Sequence, residues 1–519
     1  MSQALSPTMQ VLRHVVETPF GVVAAQHRLA AEAGAEVLRA GGDAVDAAVA
    51  CGFVLSVLEP WMSGPAGGGA AVHFRAETGE YHALDFGMKA PAGLRLDDFG
   101  LIGAGKAGDL FPWDRVVEDR NVIGARAVAV PAMVDGLGLA HERWGRMPWQ
   151  ALLSPAVDHA RAGMPVDWYS SLIIGCAARD LAADPDAAAL FLEDGTFPPA
   201  MSWAAQSAAS LPFARMADSL DVIARDGPEA MHGGDLGAAL ARDVQDKGGY
   251  LTVEDLAANR ARFHDPLRVP YRDARFHAVP GLTAGPTFAR ALEELSRLSP
   301  DLVGLAPAHA RALLSAYDHR LTRMGADGEV SKAPGSTTHF AVVDQAGNMV
   351  SHTQTLLSLF GSRIVSPSTG FLLNNGIMWF DPVQGRPNSL GPGKRCLMNV
   401  CPVIGEMPDG GRVALGAAGG RKIVSAVTQL ASLMVDRGLS LHQAFQTPRI
   451  DVSNARDVIA DMALPQPILT ELAQIAPTCV VQRSMLPYPF ACPSGVSDRD
   501  GIRQGAVETF MPWAEAVGA

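Results

Sequence analysis

Lys332 to Gly361 reads K-A-P-G-S-T-T-H-F-A-V-V-D-Q-A-G-N-M-V-S-H-T-Q-T-L-L-S-L-F-G. The Pro334-Gly335-Ser336 segment breaks off at Thr337-Thr338. Alternating residues from His339 to Val343 then predict a strand, Asp344 to Asn348 a turn, and the residues beyond it a second strand. The pattern is a loop that delivers a threonine to the first position of a sheet. A threonine hydroxyl is a poor nucleophile at neutral pH because nothing in an ordinary strand takes its proton. A cut immediately before Thr337 changes that, since the freed α-amino group, with an ordinary pKa of roughly 7.7–8.0, sits beside its own hydroxyl as the general base. On the dipeptide alone the plainer account is the stronger one: two β-branched residues opening a strand.

The neighbouring motifs reverse that balance. T-T-H-F-A-V-V-D-Q-A-G-N is followed by F-G-S-R-I-V, L-L-N-N, G-P-G-K-R, C-P-V-I and G-A-A-G-G-R-K-I. Together they resemble the start and middle of the small subunit of γ-glutamyltransferases, also called glutathione hydrolases, a family of N-terminal-nucleophile hydrolases. The family's motifs recur in order from Phe20 to the last fifty residues. The resemblance implies a precursor that cuts itself into a large fragment, 1–336, and a small one, 337–519, which stay together as one folding unit. It also implies an α+β fold, a four-layer α-β-β-α sandwich. Strand periodicity alone does not separate that arrangement from other α+β folds.

Composition narrows the partners. The 519 residues are 48% hydrophobic, spread without a clear linker, which favours one large core. A formal charge of −12 with no basic cluster gives nucleic acid nothing to bind. The amino terminus lacks a basic stretch leading into an unbroken apolar run, and no segment offers the ~18 apolar residues of a membrane helix. The expectation is a cytoplasmic protein without a membrane partner, a departure from the many exported members of the family. Cys51, Cys176, Cys396, Cys401, Cys479 and Cys492 contain no C-x-x-C pair and are assigned no chemistry. No H-E-x-x-H or comparable spacing points to a metal, no cofactor motif is present, and no G-x-S-x-G points to a serine hydrolase.

Along the chain, Gly21 to Glu59 reads as helical, with a stop at Gly41-Gly42 and Asp43 capping a helix that is small and apolar on nearly all sides. Gly64, Gly67, Gly68 and Gly69 lack the Lys-Ser/Thr of a phosphate loop, so they are read as letting backbone pass close to another segment. Helices are expected after Pro131 and Pro148, over much of Asp218 to Asp255 with Thr252 as a cap, and over Pro286 to Leu295, Ala306 to Leu321 and Val424 to Asp436. Leu267 to Pro280 reads as two strands. Beyond the threonine, short strands are expected to alternate with Gly-rich turns as far as Gly420.

The resemblance assigns roles residue by residue. Thr337 matches the nucleophile, and its hydroxyl would also attack the Ser336 carbonyl during self-cleavage. Thr355 matches a second threonine that orients it, although by itself it is equally an ordinary strand residue. Gly419 and Gly420 match the pair whose N–H groups face the oxyanion, a donor set for which the loss of one member costs roughly 3 kcal/mol; outside the family context G-G is a plain turn. Asn374 and Asn375 are read as support near the site.

The glutamyl-holding positions do not match. The arginine after D-F is Gly87, the two serines are Met398 and Asn399, and the asparagine, glutamine and aspartate that hold the amino end are Leu357, Gly376 and Trp379. Only Asn399 stays polar. Charge-assisted hydrogen bonds contribute roughly 1.5–3 kcal/mol each, so losing several weakens a γ-glutamyl zwitterion by about a thousandfold or more. Lys89, Arg363, Asn399 or backbone N–H groups are candidates for a remaining carboxylate, with a solvated surface lysine the plainer reading of Lys89.

Three readings follow: an amidohydrolase of small acyl amides of the glutaryl or oxamate kind, a γ-glutamyl transferase or glutathione hydrolase with new anchors, and an inactive relative. Intact Thr337, Thr355 and Gly419-Gly420 speak against the third. The expected partners are a small-molecule amide and the two fragments of the same precursor, with a homodimer of that unit left open.

Overall fold

The computed structural model describes residues 15–107, 113–199, 209–298, 305–326, 336–486 and 488–519. Two seven-stranded sheets, antiparallel throughout, form its centre. The first runs in the order Val16–Thr18, Ile502–Val507, Cys492–Arg499, Arg412–Ala418, Val403–Glu406, Ala274–Ala278, Leu267–Tyr271. The second runs Glu515–Gly518, Val22–Ala25, Ser336–Val343, Met349–Leu357, Gly68–Arg75, Glu80–Phe86, Arg262–His264. Each sheet therefore takes strands from both sides of Thr337.

The sheets stack through Ser336–Val343 and Met349–Leu357 of one against Arg412–Ala418 and Cys492–Arg499 of the other. Two hydrogen bonds tie them: Ser351 donates to the Leu415 carbonyl at 2.9 Å, and Ser494 to the His339 carbonyl at 2.9 Å. Gly416 makes the close approach possible, because a Cβ there would lie 2.4 Å from the His339 ring. Helices Arg28–Arg39, Ala44–Leu58 and Met133–Trp144 cover the outer face of the second sheet, and Gly285–Ser296, Lys422–Arg437 and Leu441–Gln446 that of the first. This is the four-layer α-β-β-α sandwich.

Local chemistry explains the helix ends. Asp43 caps Ala44–Leu58 in a reciprocal box with Asp46, and every residue of that helix is buried, as its apolar circumference requires. Thr252 forms the same box with Asp255. Gly67 and Gly69 let two strands meet, since a Cβ on either would come within 2.4 Å and 2.1 Å of the carbonyls of Thr355 and Thr353.

Two expectations need correction. Val22–Ala25 is a strand, not part of a helix: four small apolar residues buried on both faces in mid-sheet carry no alternation to mark them. Residues 358–402 contain no extended strand. They are irregular backbone with short bridges, held by side-chain amides as described below. No helix among the described residues is long and apolar enough to cross a membrane.

Candidate active site

Thr337 is buried at the head of Ser336–Val343. The ladder with Met349–Leu357 pairs Ser336 with Leu357 and Thr338 with Gln354, so one register slip falls at Thr337. Such a bulge re-aims the side chain at the point where pairing is interrupted. Thr355 lies in the adjoining strand opposite this bulge, on the same face, and is also buried. Thr355 Oγ1 accepts from the Leu357 N–H at 2.8 Å.

The glycine pair comes from the other sheet. Ser351, across from Ala341, touches Leu415, and His339 touches Gly416. Gly419 and Gly420 follow directly on Arg412–Ala418, which stacks on Ser336–Val343. Their φ values of 128° and 65° are open only to glycine without strain, and a Cβ on Gly419 would lie 2.8 Å from Ala491 Cα. Neither N–H donates a backbone hydrogen bond among the described residues. Tyr488 closes this corner, with its hydroxyl 3.4 Å from the Ala418 carbonyl and its ring 5.4 Å from Lys422 Nζ. Burial lowers the pKa of Lys422 and raises that of Tyr488.

Among the described residues no histidine hydrogen-bonds the Thr337 hydroxyl. His339 shares the face of Thr337, but its Nδ1 lies 2.8 Å from Thr353 Oγ1 and burial holds its pKa down at about 3. On the opposite face Thr338 donates to Glu59 Oε2 at 3.0 Å. Glu59 is wholly buried, its Oε1 has no partner, and burial pushes its pKa up to about 7 despite the Thr338 hydroxyl. The sequence reading missed Glu59, although a lone acid closing an apolar run before Pro60 was a visible signal.

Asn374 and Asn375 are clamps. Asn374 accepts from the Ala129 and Gly376 N–H groups and donates to the carbonyls of Ala66 and Ala129. Asn375 accepts from Ser358 N–H and donates to the Val122 carbonyl and Ser358 Oγ. They pin the irregular segment beside Thr355.

The substituted anchor positions divide into two groups. Gly87, Met398 and Gly376 converge: a Cβ on Gly87 would lie 2.7 Å from Met398 Cε, and one on Gly376 would lie 3.0 Å from Met88 Sδ. Lys89 is half-buried and bridges on backbone to Val130 and Arg395. Leu357, Trp379 and Asn399 are fully or almost fully buried. Leu357 is held at φ 86°, a backbone a branched side chain adopts only at a cost of about 1–3 kcal/mol. Asn399 Oδ1 accepts from buried Arg320 at 3.3 Å, while its Nδ2 is buried without a hydrogen-bond partner among the described residues. The Arg363 guanidinium donates to the carbonyls of Gly361 and Val122 and lies 3.7 Å from Asp180. Arg395, ion-paired with Asp85 at 2.8 Å, was not foreseen. Among the described residues no cluster could hold a metal ion.

The family model described as Gamma-glutamyltranspeptidase matches residues 30–321 and 305–485. Over 470 residues the chain is 33% identical to the acylase ACY 1 proenzyme of Pseudomonas sp. strain V22, covering 83% of this chain and 82% of the acylase. It is 29% identical over 519 residues to the glutathione hydrolase proenzyme of Bacillus subtilis strain 168, covering 87% and 84%. The crystal structure of cephalosporin acylase from Bacillus halodurans superposes with a TM-score of 0.86 at 24% identity over 100% of this chain and 99% of that one.

Proposed function

The chain belongs to the γ-glutamyltranspeptidase family, as a self-processing amidohydrolase or acylase acting on small molecules, and from that premise we propose that Thr337 is its nucleophile and that its substrates lack the glutamyl α-amino head. The observation that supports the proposal most is that Thr337 and Thr355 adjoin at one bulge, with Gly419 and Gly420, whose N–H groups donate no backbone hydrogen bond among the described residues, following directly on a strand stacked against that sheet.

In the precursor, Thr337 Oγ attacks the Ser336 carbonyl carbon. The amide nitrogen leaves with the hydroxyl proton, an ester forms, and water resolves it to a Ser336 carboxylate and a free Thr337 amine. The fragments 1–336 and 337–519 stay together because both sheets are built from both. In turnover the α-amine takes the Oγ proton, Oγ attacks the substrate amide, and the oxyanion faces Gly419 and Gly420. The leaving amine takes the proton, and water releases the acid. Thr355 orients Oγ.

Leu357 and Met398, with side-chain-free Gly87 and Gly376, withdraw four of the side-chain contacts that would hold a zwitterionic head, which supports an acyl group of the glutaryl or oxamate kind. Purified protein should run on a denaturing gel as pieces of about 335 and 180 residues, as a threonine that needs its own free amine demands. Full activity in a single uncut chain would refute the mechanism.

A further inference from the structure

The bulge that aims Thr337 has to be held, because an extra residue left out of a ladder gains no pairing and the strand can slip to close it. Its strand is weakly held at this end: Val22–Ala25 pairs with Phe340–Val343, so among the described residues the start of the strand has a ladder on one side alone. The holding groups lie on the reverse face. Thr338 and Gln354, the first pair after the bulge, point away from Thr337 toward helix Ala44–Leu58. Gln354 Nε2 donates to the Gly52 carbonyl and to Ser63 Oγ, both at 2.9 Å. Thr338 Oγ1 donates at 3.0 Å to Oε2 of Glu59, the residue that ends the same helix.

Residues 59–62 also grip the partner strand. The Met62 N–H donates to the Glu59 carbonyl at 2.9 Å, the Met62 carbonyl accepts from the Leu356 N–H at 3.0 Å, and the Trp61 carbonyl accepts from the Phe360 N–H at 2.9 Å. One strand is thus tied to this segment by backbone, and the strand carrying Thr337 is tied to it through Thr338 and Glu59. For a place that needs only filling, Glu59 is a costly choice. Glu59 and Thr338 are wholly buried, Glu59 Oε1 has no hydrogen-bond partner among the described residues, and no basic side chain acts on the carboxyl group. The ionisable groups that feel it are Cys51, Tyr169, Tyr488 and Cys492, each pushed toward its neutral form by desolvation. An apolar side chain would avoid the desolvation. What Glu59 adds is direction, a hydrogen bond that sets Thr338 at one angle.

We propose that Glu59 is a positioning residue for self-cleavage, which through Thr338 holds the bulge that presents the Ser336–Thr337 bond to the Thr337 hydroxyl. This rests on the reading of Thr337 as nucleophile. In the step itself the Oγ–H and amide C–N bonds break, an ester bond forms from Oγ to the Ser336 carbonyl carbon, and the proton goes to the amide nitrogen. Glu59 gives and takes none of these atoms. The approach closes a five-membered ring, so it depends on the backbone and χ1 angles of Thr337, and both change when the bulge relaxes. A misplacement of about 1 Å costs such a step roughly a hundredfold.

Cell-free synthesis of the full chain, followed in time on a denaturing gel, reads the rate of the cut. Thr338→Val keeps the branched shape without the hydroxyl, and Glu59→Leu removes the acceptor. Each should slow cutting about tenfold to a hundredfold. The two together should slow it no more than either alone, since they remove one bond. Thr338→Ser and Glu59→Gln keep donor and acceptor and should recover most of the rate. A single variant leaves a buried polar group without its partner, whereas the double variant leaves neither, so it should fold with a urea midpoint near the native one and still cut slowly. Cutting at the native rate in the folded double variant, or slowing that multiplies from the single variants to the double, overturns the role of Glu59 and leaves Thr337 as nucleophile. A native chain that is not cut before Thr337 overturns both.

Discussion

In the proposed site the reacting end, at Thr337, and the holding end, at Gly87, are built on different principles. At the reacting end the parts are a backbone bulge, two glycine N–H groups at positive φ and a pair of threonines fixed by strand register. At the holding end the parts are side chains, or their absence: Gly87, Met398, Gly376, and an arginine that enters from the segment after Gly393. Backbone geometry survives substitution nearby, because sheet pairing sets it. Side-chain contacts can be replaced one at a time. A sheet of this kind can therefore keep its reaction and change what it accepts.

The contrast is broken most severely at the reacting end. Thr337→Ala should give a chain that stays uncut and shows no measurable turnover, and Thr337→Ser one that processes slowly. Cutting or activity in the alanine variant would place the nucleophile elsewhere. Thr355→Ala should lower kcat on the order of tenfold to a thousandfold with the fold intact, the range for losing a hydrogen bond that orients the nucleophile; unchanged kinetics make Thr355 a bystander.

The holding end is sharpened by kcat/KM for glutaryl-p-nitroanilide against γ-glutamyl-p-nitroanilide. The glutaryl compound should win by roughly tenfold or more, about 1.4 kcal/mol of transition-state preference. A tenfold advantage for the γ-glutamyl compound would mean that the lost anchors have been replaced in kind.

An effect on stability rather than on turnover lies beneath the reacting end, at Glu59. Burial lifts its pKa from the ordinary 4.5 to about 7. The folded chain therefore keeps this proton over a range in which the unfolded chain has lost it, and stability falls as pH rises through that window, by roughly 3 kcal/mol at most. Glu59→Gln should flatten the decline, read as urea midpoints at pH 5 and pH 8. An unaltered slope would assign the pH dependence to other groups.

Helices with polar caps were legible, because Asp43 and Thr252 carry their signal within four residues. The strand containing Thr337 was legible, although it too is buried on both faces, because Pro334-Gly335-Ser336 and the turn from Asp344 to Asn348 bound it. Val22–Ala25 was not, since a strand covered on both sides loses that alternation. The irregular stretch 358–402 misled for a related reason: its order comes from Asn374 and Asn375 reaching segments up to 308 residues away. Distance along the chain also hid Arg395 opposite Asp85 and Glu59 beneath Thr338. No spacing rule joins residues that meet only after both sheets have formed. Only the family resemblance pointed to Thr355 and the glycine pair together.

Interleaved strands have one further consequence. If the bond before Thr337 is cut as proposed, the contact between the pieces is the core itself, with neighbours in the same ladder then on different chains. The pieces have no association constant apart from the folding free energy. Dilution cannot part them, and neither fragment can be exchanged into another copy without melting both sheets. Each molecule therefore keeps for life the partner it was synthesised with, and a defective large fragment cannot be rescued in trans by a sound one.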